Sequence, residues 1–128
     1  MILPILEIKK SPNRGRGVFT TADIKAGTVI EISPVIVLSA KERTIIEQTL
    51  LFDYIFEWGN NKKQACVALG YISLYNHNYD ANCEYDMEFN KKIMTITAVR
   101  NIKKGEELFV NYNAIPNDKT KVWFDKSK

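Results

Sequence analysis

An apolar turn, Tyr71–Tyr75, runs directly into Asn76-His77 and closes on Asp80 and Asn82. Burying an unpaired amide costs about 1–3 kcal/mol in proteins, so such a sequence has only two solutions. Either the segment is a surface turn, or Asn76, His77 and Asn82 are held by partners from elsewhere in the chain. The second solution demands a distant segment that crosses this one.

The flanking chain offers short strands separated by turns. Ile2–Lys10 reads as a strand, Ser11–Gly17 as a turn-rich loop, and Val18–Thr21 as a second strand. Thr28–Ser39 is the longest strand candidate, and Pro34 either breaks it or places it on an edge. Ala40–Leu51 is the best helix, with Ser39 as N-cap, Glu42 at capping-box spacing, and Ile45, Ile46 and Thr49-Leu50 able to share a face. The aromatic run Phe52–Trp58 leads to a turn at Gly59-Asn60-Asn61 and a short strand at Gln64–Leu69. Cys83–Phe89 and Ile93–Val99 alternate around Asn90-Lys91-Lys92 as a hairpin, and Leu108–Val110 is a last short strand. Two turns echo each other: Asp23-Ile24-Lys25-Ala26-Gly27 and Asn101-Ile102-Lys103-Lys104-Gly105. Each opens on a polar residue, plugs the core with Ile and ends on a Gly suited to a left-handed backbone. The expected class is mainly β with short helices.

Composition narrows the function. At 128 residues, 45% hydrophobic and 26% charged, the chain reads as one soluble domain, 1–128, with a core at about 5–113 and a tail at 114–128. A net charge of +3 without basic clustering is no nucleic-acid footprint, so direct nucleic-acid binding is not expected. No stretch is long enough to cross a membrane. Two separated cysteines and one histidine fall short of a structural zinc site and read as two free thiols and no metal, which favours the cytoplasm. The nucleus or a host cell is the alternative if the source is a eukaryote, a virus or a pathogen.

Three segments stand out: Gly15-Arg16-Gly17, Asn76–Asn82, and Gly105–Tyr112, which reads GEELFVNY. Singly, each has a bland reading as a turn, a capped bend, or a turn into a strand with a core tyrosine. In this order they resemble the SET-domain protein lysine methyltransferases, whose pattern is a GxG, then NHxxxxN, then GEEL-xxx-Y. Gly17–Glu31 also looks like that family's opening. The resemblance runs from about Glu7 to Tyr112 and is similar to the minimal viral-type members, which share an Asp-Tyr-aromatic segment and an Ala-Leu-Gly stretch before the Asn-His. Asn78-Tyr79, Ala81 and Asn113 depart from the residues usual in the family at those places.

The resemblance implies a fold of small curved sheets (the β-clip type) with a C-terminal pseudoknot, in which the segment ending at Tyr112 passes beside Asn76-His77. It implies transfer of a methyl group from S-adenosylmethionine to a lysine of a protein, a histone or another basic protein. Arg14, Gly15, Arg16 and Gly17 would contact the methionine part of the cofactor through backbone. Asn76 would bind it through its side chain, His77 through its backbone against the adenine, and Tyr112 would be both catalytic and in contact with the cofactor. Tyr54, Tyr75 and Tyr112 would line a channel for the lysine stem. Trp123 and Phe124 would either cover that channel, replacing the zinc-bound segment of larger members, or patch an exposed apolar edge. The acidic Asp53 and Glu57 would favour a basic peptide, and the short viral members suggest a homodimer. The rival expectation is a SET-like binding module without activity.

Overall fold

The computed structural model describes residues 1–12 and 14–112. Among these, nine strands form one curled sheet: β1 (Leu6–Ser11), β2 (Gly15–Thr20), β3 (Val29–Leu38), β4 (Ile55–Trp58), β5 (Gln64–Ala68), β6 (Asn76–His77), β7 (Cys83–Glu88), β8 (Ile93–Ala98) and β9 (Glu107–Val110). The order is β1-β2-β9-β7-β8-β3-β5-β4, with β6 lying against β9. β9, the last strand among the described residues, thus enters between the first hairpin and the β7–β8 hairpin.

The first hairpin is longer than its composition suggests. Gly15-Arg16-Gly17 is strand rather than loop, paired to Ser11, Lys10 and Lys9 of β1. β2 can start as early as Gly15 because that residue takes φ +74°, where a side chain is disfavoured. Pro34 neither breaks β3 nor puts it on an edge. The N-terminal half of β3 pairs with β8, from Val29↔Thr97 to Pro34↔Ile93, and its C-terminal half pairs with β5, from Val35↔Ala68 to Leu38↔Ala65. Proline sits at the handover, and its carbonyl still accepts Leu69 N–H at 3.1 Å.

Helix α1 (Ala40–Ile46) begins as expected, with the capping box between Ser39 and Glu42 formed in both directions. It ends early. Thr49 Oγ1 donates to Ile46 O at 2.6 Å and accepts from Leu51 N–H, starting a separate 3-10 turn at Leu50–Tyr54. The shared apolar face therefore does not form: Ile45 is 58% and Leu50 78% exposed. Arg43 holds α1 to the β4–β5 hairpin instead, through Glu57 and the carbonyls of Lys62 and Gln64, while Glu47 at the end of the helix steadies its guanidinium.

The two echoing turns meet each other. Ile24 and Ile102 form an antiparallel bridge with both hydrogen bonds at 2.8 Å, and both side chains are buried. Asp23 Oδ1 accepts Lys104 N–H, and Asn101 Oδ1 accepts Ala26 N–H. Each polar opening residue caps the opposite turn. Behind this seam lies the core, built on Val18, Ile30, Met94, Ile96 and Leu108.

Candidate active site

The amides of Tyr71–Asn82 do find distant partners, and most belong to β9. β6 runs parallel to it, Asn76 opposite Phe109 and His77 opposite Val110. Asn82 then substitutes for a strand: its Nδ2 donates to Glu107 O at 2.9 Å and its Oδ1 accepts Phe109 N–H at 2.8 Å. The crossing is therefore held by backbone pairing on one side and a side-chain amide on the other.

Asn76 ties this crossing to the first hairpin. Its Nδ2 donates to Arg16 O at 3.0 Å and to Glu107 Oε2 at 2.8 Å, while Ser11 Oγ donates to Glu107 Oε1 at 2.6 Å. Two acceptors fix which end of the amide carries nitrogen and leave Oδ1 for an outside donor. Gly17 is required by the same cluster, since a Cβ there would overlap the Glu107 carboxylate and lie 2.8 Å from Asn76 Nδ2. β2 pairs with β9 only at Val18 and Phe19. Ahead of that, the edge of Gly15–Gly17 meets Asn76 rather than a strand, and Arg14, Gly15 and Arg16 are exposed. The Arg14 guanidinium lies 5.4 Å from the centre of the Phe109 ring.

His77 contributes its ring as well as its backbone. Nδ1 accepts Tyr112 N–H at 3.0 Å, which requires that nitrogen to be unprotonated, and the ring packs edge-on against Tyr79 at 4.3 Å. Tyr112 is held at several points. Its hydroxyl donates to Tyr75 O at 3.0 Å, its carbonyl accepts Tyr85 O–H at 3.0 Å, and its ring stands edge-on to Phe56. Burial first, then neighbouring Tyr54 and Asp53, pushes the Tyr112 phenol up to about 12. It remains a neutral hydroxyl at any pH an enzyme meets.

The expectation for Tyr75 needs correction. Its ring cannot line a channel, because the side chain is completely buried and its hydroxyl donates to Glu31 Oε1. What Tyr75 gives the site is its carbonyl. The aromatic surround of Tyr112 comes instead from Phe56 and Tyr85, 5.4 Å apart, with half-buried Tyr54 nearby. Phe56 and Tyr85 escape a motif search because they lie on β4 and β7, outside the three segments. Phe56 carries only the signal of the aromatic run Phe52–Trp58, and Tyr85 only its place on an alternating strand. Of the acidic pair, Glu57 bonds to Arg43. Asp53 stays exposed and close enough to Tyr112 to act on its phenol. Trp123 and Phe124 lie outside the described residues.

The SET domain family model matches residues 15–113, a span that holds all three motifs. The chain belongs to the SET-domain family. It is 33% identical over 121 residues to a Schizosaccharomyces pombe histone-lysine N-methyltransferase specific for H3 lysine-37, covering 94% of this chain and 77% of that protein. A solved structure of a candidate histone methyltransferase from Plasmodium falciparum superposes with a TM-score of 0.66 at 30% identity, covering 84% of this chain and 96% of that one. An inhibitor-bound, humanized Polycomb repressive complex 2 from Chaetomium thermophilum matches with a TM-score of 0.70 at 26% identity, over 88% of this chain and 16% of that one. This SET domain is a protein-lysine N-methyltransferase. Enzymes of the family take S-adenosylmethionine, and the open edge of β2 beside Asn76 Oδ1 suits a ligand that carries both a carboxylate and an ammonium group.

Proposed function

We propose that this SET domain methylates lysine in a basic protein, a histone tail or its equivalent, with Tyr112 as the catalytic residue. The observation that carries the reading is the Tyr112 hydroxyl bonded to Tyr75 O within the surround of Phe56, Tyr85 and Tyr54. That bond uses the hydroxyl proton and turns the oxygen lone pairs toward whatever shares the site. Bound S-adenosylmethionine supplies an electrophilic methyl group on a sulfonium. Arg14 and Arg16 would meet its carboxylate, the backbone of Gly15 and Gly17 its methionine portion, Asn76 Oδ1 its ammonium and the His77 backbone its adenine. The chain's contribution is then alignment and fixed dipoles around the reacting centre.

The acceptor lysine must arrive neutral. Its free pKa is about 10.4, and Tyr112, itself held up at about 12, is no base for it. Asp53 beside Tyr54 supports a substrate with basic residues around the target lysine. The buried free thiols Cys66 and Cys83, both pushed up to about 12 by burial, are consistent with the cytoplasm as the compartment we propose. A homodimer in solution is also part of this reading, and light scattering reads it.

The test is transfer of labelled methyl from S-adenosylmethionine onto the proteins of a cell lysate. Labelling of lysine in a basic protein, lost in Tyr112→Phe, is expected. Labelling that is absent, or that stays on non-basic proteins, would reject the substrate class.

A further inference from the structure

We propose that Glu31, the buried acceptor of the Tyr75 hydroxyl, is a positioning residue for methyl transfer: it fixes the Tyr75 carbonyl that orients the Tyr112 hydroxyl. The inference rests on reading Tyr112 as the catalytic tyrosine.

Glu31 lies on β3 opposite Ile96, and no part of it reaches solvent. Its Oε1 accepts from the Tyr75 hydroxyl at 3.0 Å. Its Oε2 accepts from Ser33 Oγ at 2.7 Å and from Tyr71 N–H at 2.8 Å. The 3-10 turn Ile72–Leu74 lies between Tyr71 and Tyr75. One carboxylate on a central strand therefore grips that turn at both ends, immediately before Asn76-His77. The carbonyl of Tyr75, released from sheet pairing, is the one that receives Tyr112 O–H at 3.0 Å.

The chain makes room for this carboxylate. Gly70 has φ +65°, and a Cβ on it would overlap both Glu31 Oε2 and Ser33 Oγ. Stability alone is a poor reason for the arrangement. Desolvating a carboxylate costs several kcal/mol, and a well-packed apolar residue often serves a core as well or better. A fully bonded buried carboxylate does supply fixed geometry, and a misplacement of about 1 Å at a reacting centre can cost about a hundredfold in rate. Motif reading passes over Glu31 because it stands inside an apolar strand, far in sequence from the residue it serves.

Two substitutions in the full chain test this. Tyr75→Phe removes one hydroxyl and leaves the carbonyl. Glu31→Gln keeps the shape but replaces one accepting oxygen with an amide NH2, so either the Tyr75 hydroxyl or the Tyr71 N–H loses its acceptor. The readouts are the initial labelling rate of lysate protein at saturating S-adenosylmethionine, the cofactor Kd by calorimetry, and folding by circular dichroism. In both variants the rate should fall by about tenfold or more while Kd stays within about twofold. Tyr112→Phe is run alongside. If it is fully active, the reading of Tyr112 fails, and the role of Glu31 with it. If it is inactive while Tyr75→Phe keeps at least half the wild-type rate, the proposal for Glu31 alone is overturned. A loss of cofactor binding that tracks the rate, or a Tyr75→Phe chain that does not fold, also overturns it. If only Glu31→Gln fails to fold, Tyr75→Phe decides.

Discussion

Asn76 carries two duties that pull a substitution in the same direction. Its nitrogen bonds Arg16 O and the Glu107 carboxylate, and its oxygen is left for the cofactor. Asn76→Ala should therefore lower the stability of the cofactor-free chain by about 1–3 kcal/mol, because Glu107 loses a donor next to the buried Gly17. It should also weaken S-adenosylmethionine. Urea unfolding without cofactor checks the first effect, and an unchanged midpoint would remove the clamp. Tyr112 differs. Its hydroxyl bonds the Tyr75 carbonyl, so Tyr112→Phe should leave stability within about 1 kcal/mol and cofactor Kd nearly unchanged, while turnover drops by about a hundredfold or more. Calorimetry and a labelling assay on one preparation separate the two.

The glycines of the first hairpin show how an element serves the site. Gly15 is needed for its φ of +74° and has nothing within 4 Å of a built Cβ. Gly15→Ala should cost about 1–2 kcal/mol of stability through strain alone and leave the cofactor Kd nearly unchanged. Gly17 has no such φ, yet its Cβ would strike Glu107 and Asn76. Gly17→Ala should displace both side chains and weaken S-adenosylmethionine by a larger factor than Gly15→Ala does. Equal affinities in the two variants would show that the Asn76–Glu107 pair does not shape the cofactor site. The two echoing turns follow the same logic. Asp23 and Asn101 look like ordinary turn openers, but each accepts a hydrogen bond from the other turn and so fixes where β9 starts. The sequence shows the resemblance between the turns. Their meeting depends on the curl of the sheet.

Across the molecule, several acidic protons are buried in neutral groups. Cys66 and Cys83 rise from 9.0 to about 12, Tyr112 rises from 10.0 to about 12, and Tyr75 and Tyr85 also rise, in each case chiefly through burial. The unfolded chain would release these protons first. Their contribution to stability is thus complete below about pH 9 and is lost as pH climbs toward 12. Urea midpoints should hold between pH 7 and 9 as far as these groups are concerned and fall steeply above pH 10. Activity should rise over the same pH 7 to 9 interval, because the lysine substrate loses its proton there while Tyr112 does not. A rate that is flat or falling in that interval would contradict proton loss from the lysine as the controlling step.

Much of this protein was legible in one dimension. The capping box at Ser39, the β7–β8 hairpin, the short strands and the three motifs are local patterns, set by the φ that Gly permits, by alternation and by the chemistry of caps. Asn76, His77 and Tyr112 could be picked from the sequence because the family's motifs hold them at fixed spacing. Other features depended on partners far along the chain. Helix α1 stops at Ile46 because Thr49 turns back on it, and Pro34 is tolerated because β3 changes neighbours there. Tyr75 faces the core because a carboxylate from β3 waits for its hydroxyl, and Phe56 and Tyr85 surround Tyr112 because β4 and β7 bring them there. The amides that follow the apolar turn Tyr71–Tyr75 required some distant segment to answer them. Only the folded chain decides that β9 does so, since hydrogen-bond pairing across the crossing is a property of two segments together.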